Sequence, residues 1–406
     1  MKIAFVYPND DRMVSRGAGY VATMARVTGH DVSFYDTAYQ SEKDVIESVV
    51  ESSPDVLLIS ASTLLYPQAR RTAEGVKEKL GIPVLLGGIH ATIAGGEVLE
   101  ECPAVDYVCV GEGEEFVVEF LDRLPEGDVQ GVRNLGYRLE DGSVVVNPVR
   151  PATDLDKLPP FDYTLFRQES IVRSGPKPGF TYVFATRGCP YRCTYCCNGC
   201  YLSLYGKGYL RTQRVDAIVD ELIDLRDRHG AKFLYFGDEM ILFDQQYVEM
   251  LFRRVKEEVG LPFGCMTRVE TITQRVVDLF KETGCCYVSM GVECGDEKFR
   301  REFLNRNMTN GQIVEAFKLL RTIPDMFIYA FYMHGFPVSY DAELTEKTRG
   351  LNSLLRPDLV QDTVFYPLRG TRLYDYCVDR DLIDWDRAKD VRNYLRTSVL
   401  RTERLR

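Results

Sequence analysis

Five of the chain's twelve cysteines fall within RGCPYRCTYCCNGC, residues 187 to 200, and Cys189, Cys193 and Cys196 stand there in a C-x3-C-x2-C pattern. Three thiolates on one short loop can hold three corners of a cubane iron–sulfur cluster, which ordinarily takes four, so one iron would stay open. Zinc is the competing reading, because it also takes closely spaced thiolates. Its structural sites use four ligands, and Cys197 or Cys200 would have to complete the set. A metal-free group of five thiols on one loop is the weakest reading, since it would be prone to oxidation. The other seven, Cys102, Cys109, Cys265, Cys285, Cys286, Cys294 and Cys377, lie in apolar stretches and read as small core residues.

The elements that must position this loop are those of two α/β units. KIAFVYP, DVSFYD, DVLLIS, IPVLLGG and VDYVCVG read as five strands, with helices expected over Gly19 to Val27, Ser41 to Ser52, Tyr66 to Leu80 and Glu97 to Glu101. Ligands of open α/β sheets bind outside the carboxyl ends of the strands. That draws attention to Gly87-Gly88-Ile89-His90 and to Gly111-Glu112-Gly113-Glu114. Asp141-Gly142, between alternating apolar runs, predicts a hairpin. The prolines at 148, 151, 159 and 160 then predict an extended linker.

From Gly179 the alternation resumes. TYVFAT, KFLYFG, PFGCMT, CYVSMG, FIYAFYM and VQDTVFY are six candidate strands, and stripes such as Val215, Ile218, Val219, Leu222 and Leu225 mark the helices between them. The strands run into Arg187 with the cysteine loop, Asp238-Glu239, Arg268, Glu293, His334-Gly335 and Pro367-Leu368-Arg369-Gly370. A ring of polar residues at strand ends is how a β/α barrel builds a site. The expected organisation is a doubly wound domain over 1–130, a hairpin and Pro-rich linker over 131–178, a barrel-like core over 179–380, and a helical tail over 381–406, where Val391, Leu395 and Val399 have helical spacing.

Bulk properties narrow the function. A net charge of −10 disfavours non-specific nucleic-acid binding. The apolar run after Met1 breaks at Pro8, too soon for a signal peptide, and no later run approaches membrane-spanning length, so the expected location is the cytoplasm. A reducing cytosol makes a disulfide framework an unlikely use of twelve cysteines. The Arg-rich C-terminal stretch shows no stop signal, and a longer native chain with further substrate-binding residues is expected from it.

RGCPYRCTYCCN resembles the cluster loop of the radical S-adenosylmethionine (SAM) enzymes, with Tyr195 as the aromatic residue before the last ligand. That resemblance implies that Cys189, Cys193 and Cys196 bind a 4Fe-4S cluster, leaving Cys197 and Cys200 without a role beyond packing. YFGDEM is similar to the family's acidic motif, implying that Asp238 and Glu239 meet the amino group of SAM. MGVECGDEKF is similar to the strand whose glutamate binds the ribose, which implies Glu293. MTRVE with Arg268, MHGFP with Gly335, and YPLRGT resemble further segments. Chemically, a carboxylate suits an ammonium or a pair of hydroxyls, and Arg suits a carboxylate.

GGIHATIAGGEVLEECPAVDYVCVGEGEEF is in turn similar to the cobalamin-binding domain of one large subgroup. It implies a Rossmann-like fold ahead of a partial (β/α)6 TIM barrel, with Gly87, Gly88, His90, Gly111 and Glu112 around the corrinoid. No histidine stands in an Asp-x-His-x-x-Gly motif, so cobalamin is expected without a His ligand to cobalt. The activity implied is methylation of an unactivated carbon through a 5'-deoxyadenosyl radical and methylcobalamin, on a small-molecule, lipid or peptide substrate. An electron donor such as flavodoxin or ferredoxin is expected. Rearrangement or cyclisation by the same radical, and a non-catalytic corrinoid or redox sensor, are the alternatives. An RNA methylthiotransferase is disfavoured because the first domain lacks a second cysteine set.

Overall fold

The structure is a computed structural model that describes residues 1–390 and 397–405, and it divides into two compact units, Met1–Ile171 and Val172–Arg406. In the first unit, β1 (Lys2–Tyr7), β2 (Asp31–Asp36), β3 (Val56–Ser60), β4 (Val84–Gly87) and β5 (Tyr107–Cys109) are parallel and arranged 2-1-3-4-5. Runs of Val, Ile, Leu and Phe suit strands covered on both faces. Helices Arg16–Val27, Glu42–Ser52 and Tyr66–Leu80 lie where expected, the first two opened by Ser15 and Ser41, whose side chains accept from backbone N–H groups. Helix Glu114–Arg123, which the sequence analysis did not assign, follows β5.

The hairpin forms as expected, with β6 (Leu135–Arg138) and β7 (Val144–Val146) joined through Asp141-Gly142, but it is not a connector between units. β6 pairs antiparallel with β5 and extends the first sheet. The Pro-rich stretch after it is likewise packed down rather than free. Phe161 meets Tyr20 edge-on at 5.1 Å, Phe166 meets Phe34 at 5.0 Å, and Arg26 pairs with Asp162 at 2.8 Å. Its aromatic residues anchor the segment, a signal that the prolines concealed.

In the second unit, β8 (Phe180–Val183) is followed by the short β9 (Thr186–Arg187), which pairs antiparallel with β10 (Arg211–Thr212). β11 (Phe233–Phe236), β12 (Phe263–Thr267), β13 (Cys285–Glu293), β14 (Phe327–His334) and β15 (Leu359–Val364) complete a parallel sheet of order 8-11-12-13-14-15. This is the curled half-barrel expected from six β/α units. Phe236, Phe252, Phe263 and Phe280 pack together between sheet and helices, while Phe180, Phe233, Tyr235 and Tyr287 close one end of the inner face.

Of the seven cysteines read as core, six are buried and Cys286 is half-buried. The expected C-terminal helix has a different outcome at its described end. Helix Trp385–Asp390 forms, whereas Leu400 bridges Ile383 in extended backbone and Val399 is buried beside it. Val391 and Leu395 lie outside the described residues. No helix among the described residues is long and apolar enough to cross a membrane.

Candidate active site

The cysteine loop leaves β9 through Gly188, at φ +101°, where a Cβ would stand 2.4 Å from the Tyr209 carbonyl oxygen. Only glycine allows this approach. Long-range bonds then pin the loop. Thr194 donates from N to the Leu304 carbonyl (3.2 Å) and from Oγ1 to that of Phe303 (2.7 Å), and Asn305 Nδ2 donates to the Arg192 carbonyl (2.8 Å). Cys200, without a role from sequence, donates from Sγ to the Gly370 carbonyl at 2.9 Å. It thereby ties the loop to YPLRGT.

Burial raises the Cys189 thiol to about 11, whereas a hydrogen bond from Cys197 pulls Cys196 down to about 7. Among the described residues, no three His, Cys, Asp or Glu side chains converge closely enough to hold a single metal ion.

Two guanidinium groups reach Cys193. Arg268, at the end of β12, is buried, lies 3.7 Å over the Tyr191 ring, and donates from Nη1 to Cys193 Sγ at 3.3 Å and from Nη2 to Glu270 at 2.5 Å. Arg306, which sequence reasoning missed, places Nη1 3.9 Å from the same sulfur, 3.3 Å from the Tyr195 hydroxyl and 3.5 Å from Glu293 Oε1. Its Nη2 donates to the Gly291 carbonyl, and its buried Nε has no hydrogen-bond partner. Glu293 itself sits at φ +69°, where the β13–β14 register shifts, so the strand's last carboxylate is turned out of the regular alternation.

Asp238 and Glu239 divide their tasks. Asp238 is wholly buried, and its Oδ1 accepts from Ala185 N (2.9 Å), Thr186 N (2.5 Å) and Thr186 Oγ1 (2.7 Å), bracing the chain that leads into the cysteine loop. Burial nevertheless raises its carboxyl to about 7, and its Oδ2 has no hydrogen-bond partner. The Glu239 side chain is accessible to solvent, yet desolvation by the surrounding protein raises its carboxyl against the pull of the Gly188 N–H, Arg187 and Arg211.

Gly335 takes φ +70° and donates its N–H to Asp341 at 3.1 Å. His334, expected in the ring of strand-end residues, points to the outer face instead. Its ring nitrogens meet Asp362 (2.8 Å) and Thr345 (3.3 Å), the latter on helix Asp341–Leu355. Strict alternation along β14 sends His334 outward with Ala330 and Tyr332.

In the first unit, Gly87 ends β4 and Gly88 opens helix Gly88–Ala94 at φ +90°, where a Cβ would stand 2.8 Å from the Ala61 N and O atoms. Gly111, at φ +93°, donates its N–H to Thr92 Oγ1 at 3.0 Å. Glu112 accepts from Thr153 N at 2.7 Å, and His90 is buried with its ring stacked 3.9 Å from Tyr66 and Nδ1 3.4 Å from Thr63. Both side chains are thus engaged within the unit, while Ile89 is exposed beside them.

Both units match known families. The B12 binding domain matches residues 10–121, and the radical SAM superfamily matches residues 183–345. The chain is a B12-binding radical SAM enzyme. This radical SAM enzyme is 28% identical over 398 residues to an uncharacterized methyltransferase of Pyrococcus horikoshii, covering 94% of this chain and 84% of that one. It is 26% identical over 408 residues to the anaerobic magnesium-protoporphyrin IX monomethyl ester cyclase of Rubrivivax gelatinosus, covering 95% of this chain and 72% of that one. The structure of the radical SAM methyltransferase TsrM from Kitasatospora setae, with cobalamin and a 4Fe-4S cluster bound, gives a TM-score of 0.72 at 17% identity, covering 93% of this chain and 74% of that one. At that identity the likeness is one of fold.

The two matched families point to cobalamin and SAM, and the TsrM structure holds cobalamin with a 4Fe-4S cluster. The chain's own residues fit the cluster and SAM. Two cations beside Cys193 offset thiolate charge, and a buried carboxylate oxygen, Asp238 Oδ2, is left for a donor. For cobalamin, the glycine turns at Gly88 and Gly111 and the exposed apolar side chain of Ile89 stand at the strand ends.

Proposed function

We propose that the enzyme transfers a methyl group to an unactivated carbon of a small molecule. The observation that carries this reading is the cysteine loop set among Arg268, Arg306, Glu239 and Glu293, in one chain with a B12 binding domain. When bound, the cluster and SAM supply a 5'-deoxyadenosyl radical, and cobalamin supplies a transferable methyl group.

Cys189, Cys193 and Cys196 hold the cluster, with Cys197 and Cys200 supporting the loop. Glu239, accessible to solvent, takes the ammonium of SAM, and Glu293 takes the ribose hydroxyls. Arg268 faces the carboxylate, and Tyr195 carries the hydroxyl that Arg306 contacts. Asp238 positions the loop through its three accepted bonds and offers Oδ2 to the same ammonium. Gly335 supplies the turn after β14. In the first unit, Gly87, Gly88 and Gly111 shape the turns that receive the corrinoid, while Glu112 and His90 brace them. His90, stacked under Tyr66, does not ligate cobalt. A flavodoxin or ferredoxin delivers the electron, in the cytoplasm.

Cyclisation or rearrangement without methyl transfer is a second reading, supported by the similarity to the Rubrivivax cyclase. Anaerobic incubation of the full chain with cobalamin, SAM, reductant and candidate substrates separates the readings. Methyl transfer yields 5'-deoxyadenosine and a product heavier by one methyl; cyclisation yields 5'-deoxyadenosine without added methyl; a corrinoid or redox sensor yields neither.

A further inference from the structure

Helix Asn198–Tyr205, which begins just past the last cysteine of the C-x3-C-x2-C pattern, is poorly covered for its composition. It carries Tyr201, Leu202, Leu204 and Tyr205, yet none of its eight residues is buried and Leu204 is 38% exposed. A surface helix ordinarily turns such residues into the core as one stripe. The backbone around it also stands in open space, since a Cβ added at Gly199, Gly206 or Gly208 would meet nothing within 4 Å. An uncovered apolar patch of this kind marks a place of contact.

The charge of this region is one-sided. From Ser170 to Val215 the sequence holds seven Arg and Lys and no Asp or Glu, in a chain whose net charge is −10. Two of the seven frame the helix. Arg192 is exposed and donates from Nη1 to Ser203 Oγ at 3.0 Å, and Lys207 is exposed in the turn Gly206–Tyr209. Acids approach from other elements: Glu239, after β11, acts on Tyr209, and Asp375 acts on Cys200. Asp375 follows the exposed Arg372 by one turn of helix Arg372–Asp379.

Rings and hydrogen bonds connect the patch to a cluster cysteine. Tyr205 and Tyr201 lie nearly parallel to Tyr209, at 16° and 11°, with centroids 6.3 Å and 5.6 Å from it. Tyr209 is buried, its hydroxyl donates to Asn198 Oδ1, and the Asn198 side chain hydrogen-bonds the Cys196 thiol.

We infer that this face docks a flavodoxin-type carrier, an acidic protein with an exposed flavin edge, which delivers the electron required by the function proposed above. One electron passes from the anionic flavin hydroquinone, which becomes the neutral semiquinone, to the cluster, and no proton need move. An acidic partner is repelled by most of this chain and attracted here, where its carboxylates meet Arg192 and Lys207. An apolar centre inside a charged rim suits a transient contact, and the flavin's apolar edge rests on Leu204 and Tyr205. Tunnelling weakens steeply with distance. Docking at this helix leaves only Tyr209 and Asn198 between the patch and Cys196.

The test mixes the anaerobically reconstituted full chain with flavodoxin hydroquinone and follows flavin and cluster absorbance after rapid mixing. Dithionite serves as a small reductant that needs no docking, and calorimetry gives the affinity for oxidised flavodoxin. Binding should be saturable and should weaken at least tenfold as salt rises from about 0.05 to about 0.5 M. Leu204→Asp and Lys207→Glu, both at exposed positions, should each weaken binding and slow reduction by flavodoxin at least tenfold, with iron content and reduction by dithionite unchanged. Tyr209→Phe, which removes the bond to Asn198, should slow reduction at saturating flavodoxin and leave the affinity as it was. Unchanged binding and reduction in both surface variants, equal slowing with dithionite, or reduction by a ferredoxin but not by flavodoxin would overturn the inference. Methyl transfer is not read, so a chain reduced through this face that yields no methylated product would overturn the methyl-transfer reading and leave the docking face standing.

Discussion

The two units place their strand ends to different purpose. In the first, β4 and β5 are followed by Gly88 and Gly111 at positive φ, and the polar groups nearby, Glu112, Thr92 and His90, are engaged within the unit itself. In the second, β12 and β13 end in Arg268 and Glu293, which meet Arg306, Glu270 and the cysteine loop. One edge offers backbone shape and the other offers side-chain charge. A large preformed cofactor can be held by shape alone, whereas a cluster and a zwitterionic cosubstrate need thiolates and opposite charges at fixed points.

The largest expected effect falls on the charged edge. Cys193→Ala should lose nearly all of the iron found by chemical assay and abolish SAM cleavage, with cobalamin binding retained. Retained iron would contradict the ligand set. Arg306→Met leaves the half-buried Glu293 without its cation, and should cost about 2–4 kcal/mol in chemical denaturation. Arg306→Lys should recover part of that loss, and no change in either variant would reduce Arg306 to a bystander.

Asp238 gives a pH signature. Its folded-state carboxyl is raised to about 7 by burial, above the ordinary Asp value of 3.8, so between those values the folded state holds more protons than the unfolded one. Its contribution is complete below about pH 4 and is lost as pH rises to about 7, at a rate of at most about 1.4 kcal/mol per pH unit. Asp238→Asn, measured by urea denaturation of the cofactor-free chain across that range, should flatten this slope. An unchanged slope would mean that Asp238 is ionised throughout.

The smallest effect belongs to the shape edge. Gly88→Ala forces a Cβ against the Ala61 backbone, and should cost about 1–3 kcal/mol and weaken cobalamin binding while iron content holds. Loss of iron and cobalamin together would erase the contrast between the two edges.

Much of this was legible in the chain. The ten strands read as β1–β5 and as the half-barrel's later members were visible as short apolar runs bounded by turn residues, and the β8 run was visible too, although it breaks into β9 at Phe184-Ala185. C-x3-C-x2-C was legible because its ligands are neighbours in sequence. Arg306 was not, since it sits between two helices, 111 residues from the Tyr195 it contacts, and only the fold brings them together. Asp238 was singled out by its place after β11, but its bonds to Ala185 and Thr186 span more than fifty residues and no local pattern encodes them. The hairpin was marked by Asp141-Gly142, yet its pairing with β5 depends on which sheet edge is free. His334 shows an available signal left unused, since alternation along β14 already turns it away from the inner face.

The most direct test of the account is the electron paramagnetic resonance spectrum of the anaerobically purified, dithionite-reduced full chain loaded with cobalamin. The account predicts a reduced 4Fe-4S signal that changes on adding SAM, beside a base-off cobalt(II) signal free of nitrogen splitting from a histidine. A spectrum with no cluster signal, or a cluster signal indifferent to SAM, would contradict it.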